Sequence, residues 1–552
     1  MTGPAEMSAR AAVAAAATVA ARAAAATSSP AAARWRRSAR GSPRPGGPTC
    51  LEAARRAARY QILDMVAAAH ATARAPELAR LLDGLPHGAG PSTVVATGAR
   101  LAPADAAFVN AAFSMAQDYD DIIWMGHTCH SAVFAALAVA EAEGKDGRDL
   151  VTAVVVANEI AGRLGASSFL GPLNGQMWTF IHLVGAAAAT ASLLGLDATR
   201  SAHALAIALA QPPFALQPAF FGPTSKLLAA SVPTQIGIQA AYLARAGMTG
   251  ALDVLEDRRG FWQRFTFQPL PEMLGDLGTL WAITSLTIKT APVCHYFQTA
   301  CEAAESLVRT ERPALDQVRR VVVATSKLGD EVNRFAREYA GADAPDLSPV
   351  GVSFDLGLTV AVVMHAGRFT GEEAETAWLE ANADALRAWY AKIVVEHDPA
   401  LTARVLGSAR SIPTGKQALR SLRPADWLRL VRRYREQYGS SLLRAREAVN
   451  WVRLALRGRQ NAPRPGRGDG IPLYFPNRVT IELLDGTVEA QRVDLPAGSM
   501  AQATMEPALQ AKFLREVGAR LGAEAAAAGH AAGLALEDVG VAGFVAAIAG
   551  RR

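Results

Sequence analysis

Through residues 51–289 apolar side chains return every three to four positions, and alanine and glycine fill the intervals instead of β-branched runs. That period is helical. It predicts consecutive amphipathic helices over 130–143 and 149–164, split by Gly144-Lys145-Asp146-Gly147. A nearly all-small helix follows over 185–196, and Asp197 stands where a side-chain cap would open the next one. A helix over 227–246 is expected to be interrupted at Pro233, because proline removes a backbone donor and crowds the preceding turn. Small residues let helix backbones approach closely, so the whole stretch reads as a tightly packed helical body.

The period changes after Pro292. Residues 317–325 and 391–396 read as strands, with helical segments over 354–365 and 372–390 between them. Residues 477–484 and 487–494 read as a hairpin about Asp485-Gly486, a dipeptide that favours a type I′ turn. Helical pattern returns over 507–527 and 536–548. The expected fold class is therefore mainly α, a large all-helical domain with an inserted smaller α+β lid domain. The helical domain covers 51–290 and is completed by 505–550, and the lid covers 291–504. Residues 1–50 are Ala/Arg-rich and end in a Gly/Pro-rich run, the composition of a disordered tail, which also resembles that of a transit signal.

With 552 residues, 51% hydrophobic and 19% charged, the chain can bury a substantial core and suits a soluble enzyme. The net charge of +6 is local. Residues 416–470 carry fourteen Lys/Arg against four Asp/Glu, interleaved with Trp427, Tyr434, Tyr438 and Trp451. This basic insertion, 414–470 within the lid, is expected to project as poorly packed helical structure. It reads either as an arm for an acidic partner or as an amphipathic surface helix pair. Charge confined to such segments implies no general affinity for nucleic acid. Cys50, Cys129, Cys294 and Cys301 show no CxxC pairing, which points to free thiols in a reducing, cytoplasmic compartment. No stretch reads as a membrane span.

Two segments set ionisable groups in apolar surroundings: Asp118-Tyr119-Asp120-Asp121 with His127 and His130, and Lys289 with Cys294-His295. Buried charge is tolerated mainly where it is paired or used. At most two of the three aspartates can share a face. A carboxylate beside an apolar wall or another carboxylate can take a proton at neutral pH, which makes Asp118 a candidate base. His127 and His130 have a spacing that could hold a metal, but the zincin glutamate and a clear third ligand are missing, so a single catalytic imidazole at His127 and a structural His130 fit better. Cys129, Cys294 and His295 would form an alternative thiolate/imidazole set. Lys226 follows a glycine turn at a helix start and can meet a carboxylate, and its segment lacks the Gly-Lys-Ser/Thr of a phosphate loop.

Taken in order, these pieces resemble the PrpD-like (MmgE/PrpD) family, which includes 2-methylcitrate dehydratases, cis-aconitate decarboxylases and an iminodisuccinate epimerase. The resemblance rests on Asp118-Tyr119-Asp120-Asp121 with Gly126-His127, on Ser225-Lys226, on Lys289, Pro292, Cys294-His295, and on Asn477-Arg478-Val479 with Asp485-Gly486 and Lys512-Phe513. It implies a helical domain with an α+β lid, a homodimer, and an active site between the domains that needs no cofactor and no metal. It places Asp118, His127 and His295 at catalytic positions, and Lys226, Lys289 and Gln176 at substrate-binding positions. Ile122 stands where many members have Thr, and Gln176 and Gln298 stand at frequent His positions. A glutamine binds a carboxylate but is no general acid near neutral pH. The function expected is a cofactor-independent lyase or isomerase on a small di- or tricarboxylic acid. The alternatives are a catalytically impaired partner subunit and a polyanion-binding protein acting through the basic insertion.

Overall fold

The computed structural model describes residues 50–85, 88–123, 126–172, 179–275, 280–310, 312–339, 347–408, 422–438 and 470–550. The tail 1–49, Gln176 and most of the basic insertion lie outside them. Among the described residues the fold is mainly α with one four-stranded sheet and a short two-stranded ribbon.

The N-terminal part stacks α1 (Cys50–Ala71), α2 (Pro103–Met115), α3 (Cys129–Ala142), α4 (Gly147–Ser167), α5 (Thr179–Leu193) and α6 (Leu228–Arg245). Their starts follow local chemistry. Pro103 opens α2, where its missing N–H costs nothing. Asp146 caps α4 by accepting the Asp149 N–H at 2.8 Å, and Asp197 caps the helix Ala198–Ala208 by accepting from Arg200 N at 2.8 Å. Pro233 lies inside α6 without ending it. It sits near the helix start, where the Ser231 and Thr234 hydroxyls donate to the Leu227 and Ala230 carbonyls.

Helices α5 and α6 touch backbone to backbone. A Cβ on Gly237 would lie 2.3 Å from the Leu183 carbonyl oxygen and 2.7 Å from Ala186 Cβ. Gly237→Ala is therefore expected to lower the urea midpoint, with a loss of about 1–3 kcal/mol from overpacking. Alanine's intrinsic helix preference, about 1 kcal/mol, is the smaller effect because backbone must move. An unchanged midpoint would show that the two helices can separate freely.

Beyond residue 290 come α7 (Gln298–Thr310), β1 (Val318–Thr325), α8 (Leu356–Ala366), β2 (Ile393–His397), α9 (Pro424–Tyr438), β3 (Asn477–Leu483) and β4 (Val488–Val493). The sheet order is β2-β1-β3-β4. β1 runs parallel to β2, with Val321 opposite Ile393, and antiparallel to β3, with Val323 opposite Val479. Their inward valines join Phe354, Leu358 and Phe369 in one apolar cluster, which also takes in Phe220 and Ala229 from the helical part. The β3–β4 turn departs from the type I′ expectation. Gly486 N–H donates to the Leu483 carbonyl and Gly486 alone takes positive φ, at 90°, whereas type I′ needs it at two central residues.

The last helices, α10 (Met505–Leu521), α11 (Ala523–Leu534) and α12 (Leu536–Ile548), pack back on α1 and α4. Leu509, Phe513 and Phe544 share one core cluster with Leu63, Phe113 and Phe134. Helix α9, the described part of the basic insertion, does not project. Leu430 is buried, and Tyr434 donates to the Gly171 carbonyl at 2.9 Å and meets the Phe267 ring edge-on. Leu430 and Tyr434 stand one turn apart, so one seam docks while the arginines stay outside, and Asp426 accepts from Arg423 N within its own segment. Gly147–Ser167 and Thr224–Arg245 do have the length and apolar composition of membrane spans, contrary to expectation, and 89% and 61% of those windows are buried within the structure.

Candidate active site

The site forms where α2 ends. After Met115 the chain leaves the helix, and Asp118 takes φ 55, the one non-glycine positive φ among the described residues. Such a conformation costs roughly 1 kcal/mol or more and persists only when its surroundings hold it. Residues 118–123 then run irregularly. Ile122 exchanges backbone hydrogen bonds with Thr287 at 3.0 and 2.9 Å. The 286–288 stretch is bonded in turn to Gly498 and Met500. This pairing carries Lys289 onto the aspartates.

Asp118 and Asp120, two residues apart, face the same way. The Lys289 ammonium donates to Asp118 Oδ2 at 2.7 Å, to the Asp118 carbonyl at 2.7 Å and to Asp120 Oδ1 at 2.9 Å. All three of its protons are used. Lys226, in the turn Thr224–Leu227 ahead of α6, donates to Asp118 Oδ1 at 3.0 Å and to the Met115 carbonyl at 3.2 Å. Its ammonium also lies 5.4 and 5.3 Å from the Phe220 and Phe354 ring centres. One Lys226 proton therefore has no acceptor among the described residues.

Asp120 is the hub. Its Oδ2 lies 2.6 Å from His127 Nδ1 and 3.3 Å from His130 Nε2. An ionised carboxylate can only accept, so His127 Nδ1 donates to Asp120 and Nε2 is the ring nitrogen turned away from it. The His127 side chain is 12% exposed while Asp120 is fully buried, so the imidazole is the group of this pair that a ligand can reach. His130 is fully buried, and its Nδ1 pairs with Ser114 Oγ at 2.8 Å.

The charges are strongly tuned. Burial would raise Asp118, but the Lys226 and Lys289 charges hold it below the usual carboxylate range. Burial is likewise outweighed at Asp120, by Lys289, His127 and His130, and its carboxyl lies well below that range. Asp121 points elsewhere, accepting from Gln61 Nε2 at 2.9 Å, and burial with the neighbouring Asp64 charge pushes it well above normal. His295 opens a short turn with its ring edge-on to Phe475. Neither ring nitrogen has a partner among the described residues. Burial, then the positive Lys289 and His127, hold His295 well below the usual imidazole value, so it is neutral.

The structure brings Asp118, Lys226 and Lys289 into direct contact, joins His127 to them through Asp120, and sets His295 within their field. Gln176 lies outside the described residues. Gln298 is committed to backbone: its Oε1 accepts from Thr290 N at 3.0 Å and Ala291 N at 3.2 Å, and its Nε2 donates to the Ala291 carbonyl at 2.7 Å. Ile122 is buried and offers no hydrogen bond from its side chain. Donor atoms of Asp120, Cys129 and His130 lie within 4.8 Å of one another, a different grouping from the Cys129, Cys294 and His295 set. Burial pushes the Cys129 thiol well above its normal value, and Lys289 and His127 already occupy Asp120, so hydrogen bonding suits this group better than a metal.

Residues 48–273 match the MmgE/PrpD N-terminal domain and residues 291–421 the MmgE/PrpD C-terminal domain. Among curated proteins, the chain is similar to a cis-aconitate decarboxylase of Aspergillus terreus (strain NIH 2624 / FGSC A1156), 30% identical over 296 residues, which cover 49% of this chain and 60% of that protein. It is 29% identical over 243 residues to the cis-aconitate decarboxylase of Homo sapiens, covering 41% of this chain and 49% of that protein. The Mus musculus protein of the same name is 28% identical over 242 residues. The chain thus spans between about half and 60% of the length of these relatives.

Proposed function

The chain belongs to the MmgE/PrpD family, and from that premise we propose that it is a lyase of the dehydratase or decarboxylase type acting on a small carboxylic acid without a cofactor. The observation that carries this reading is the Asp120–His127 pair, at 2.6 Å, beside an aspartate bridged by two buried lysines. His127 Nε2 moves the proton. In a dehydration it removes the proton next to the substrate carboxylate as hydroxide leaves from the neighbouring carbon. In a decarboxylation Nε2 first takes up a proton from the substrate acid, and the imidazolium then returns it to the carbanion left as carbon dioxide departs. Both routes build negative charge, which fixed ammonium groups and a neutral His295 donor stabilise.

The geometry favours a division of labour different from the one expected of the residue types. Asp118 is a poor base because two lysines hold it ionised, and its role is to set the ammonium groups. Lys289 is saturated by three acceptors, so Lys226, with a proton to spare, is the better anchor for a substrate carboxylate. The site lies between the helical part and the sheet-bearing part, which acts as a lid on this reading.

A second reading has its own support. Ile122 and the backbone-bound Gln298 remove polar groups from positions where many family members have them, which suits an impaired partner subunit. Incubating the protein with di- and tricarboxylic acids, among them cis-aconitate, and following the products by NMR separates the two. Water loss, carbon dioxide release or a shifted double bond is expected for at least one acid. No turnover across the panel would reject the lyase.

A further inference from the structure

We infer that Lys512, with Arg515 one helical turn further along α10, is a positioning residue that locks the peptide backbone between Asp118 and Asp120. The inference deepens the catalytic reading of the site and rests on it.

The Lys512 ammonium donates to the Tyr119 carbonyl at 2.6 Å and to Asp64 Oδ1 at 2.7 Å, and lies 4.0 Å above the Tyr119 ring. Its side chain is 1% exposed. Arg515 donates to the Tyr119 hydroxyl at 2.7 Å, and that hydroxyl donates to the Thr290 carbonyl at 3.0 Å, next to Lys289. Two consecutive carbonyls, those of Asp118 and Tyr119, are thus each held by an ammonium group. With both fixed, the peptide planes on either side of Tyr119 cannot rotate. That explains how Asp118 keeps its left-handed conformation and how the carboxylates of Asp118 and Asp120 both reach Lys289. Neither Lys512 nor Arg515 hydrogen-bonds to Asp118, Asp120 or His127 among the described contacts. Their action passes through Tyr119.

Lys512→Met alone would strand the buried Asp64 carboxylate and weaken the fold. The informative variant is the double substitution Asp64→Asn with Lys512→Met, which removes the stranded charge but leaves the Tyr119 carbonyl unheld. Relative to Lys512→Met, its melting temperature should recover. Its kcat should stay ten- to a hundredfold below wild type, with KM within threefold. Recovery of kcat together with stability would make Lys512 merely structural and overturn the inference. A crystal structure of the double variant gives a readout independent of any substrate. Asp118 is expected to leave φ 55 and Asp120 to move off His127, and an unchanged segment would overturn the inference. A wild type without turnover would reject the catalytic reading while this structural arm still decides the positioning. Should neither variant fold, Tyr119→Phe removes only the hydroxyl held by Arg515. It should lower kcat severalfold, and wild-type kcat would count against the clamp.

Discussion

Replacing His127 by alanine is expected to lower kcat by about a hundredfold to ten-thousandfold, the range typical of a lost general acid–base group. The fold should survive, because His127 is the partly exposed member of its cluster and Asp120 keeps Lys289 and His130 as partners when the imidazole is gone. The check is kcat and KM on whichever carboxylic acid the wild type turns over, with circular dichroism to confirm folding. KM should change little, since Lys226 supplies the carboxylate contact. A variant with wild-type kcat would remove His127 from proton transfer and leave Asp118 or His295 to be tested next.

Replacing Lys289 by methionine is expected to cost stability before it costs chemistry. One ammonium satisfies two buried carboxylates and a carbonyl. Breaking a buried pair by deleting one partner typically costs about 3–5 kcal/mol, because the remaining charge has no water to turn to. The pH dependence carries a sign. In the wild type, Asp118 and Asp120 have depressed folded values. Their stabilising contribution is present above the ordinary carboxylate value and is lost as pH falls through the lower folded values. Without Lys289 the carboxylates are pushed upward, and the variant should gain stability as pH falls from 8 to 5. Thermal melts across that interval measure it. Parallel curves for wild type and variant would show that Lys289 is not what holds these groups ionised.

Much of the architecture was legible because long periodic segments state their own structure. Helices α3 and α4 carry long apolar spacing, α4 adds a capping aspartate, and the run of β1 is rich in valine. That Asp118, Lys226 and Lys289 share a site is what the family resemblance implies; charges inside apolar stretches need partners, but the sequence does not say which. Nor does it say what each charge does. The roles depend on pairs such as Lys289 with Asp118, 171 residues apart, and the same aspartate reads as a base until two lysines are seen to clamp it. The sequence does not mark Asp120 as the hub, because in this loop side chains two apart share a face, a pattern that a helical reading scatters. For helix α9 the amphipathic surface reading fits, and only the expected projection does not. Its arginines dominate the composition and suggest projection, yet Leu430 and Tyr434, one turn apart, fix where it docks. The β3–β4 turn shows the limit of dipeptide signals, because its hydrogen bonds and not Asp485-Gly486 alone set the turn type.

The return of α10–α12 onto α1 has a temporal consequence. Asp64 meets Lys512, 448 residues downstream, and Arg55 meets Glu537, 482 residues downstream. A ribosome adding roughly 5–20 residues per second needs on the order of 20–90 s to bring Lys512 out after Asp64. For all that interval α1 stands without the wall that covers it, and the Asp64 carboxyl without its cation. Closing so long a loop is slow and exposes apolar surface to other chains meanwhile. The nascent protein therefore spends its synthesis as an open half-core, and the last helices to appear are the ones that seal the first.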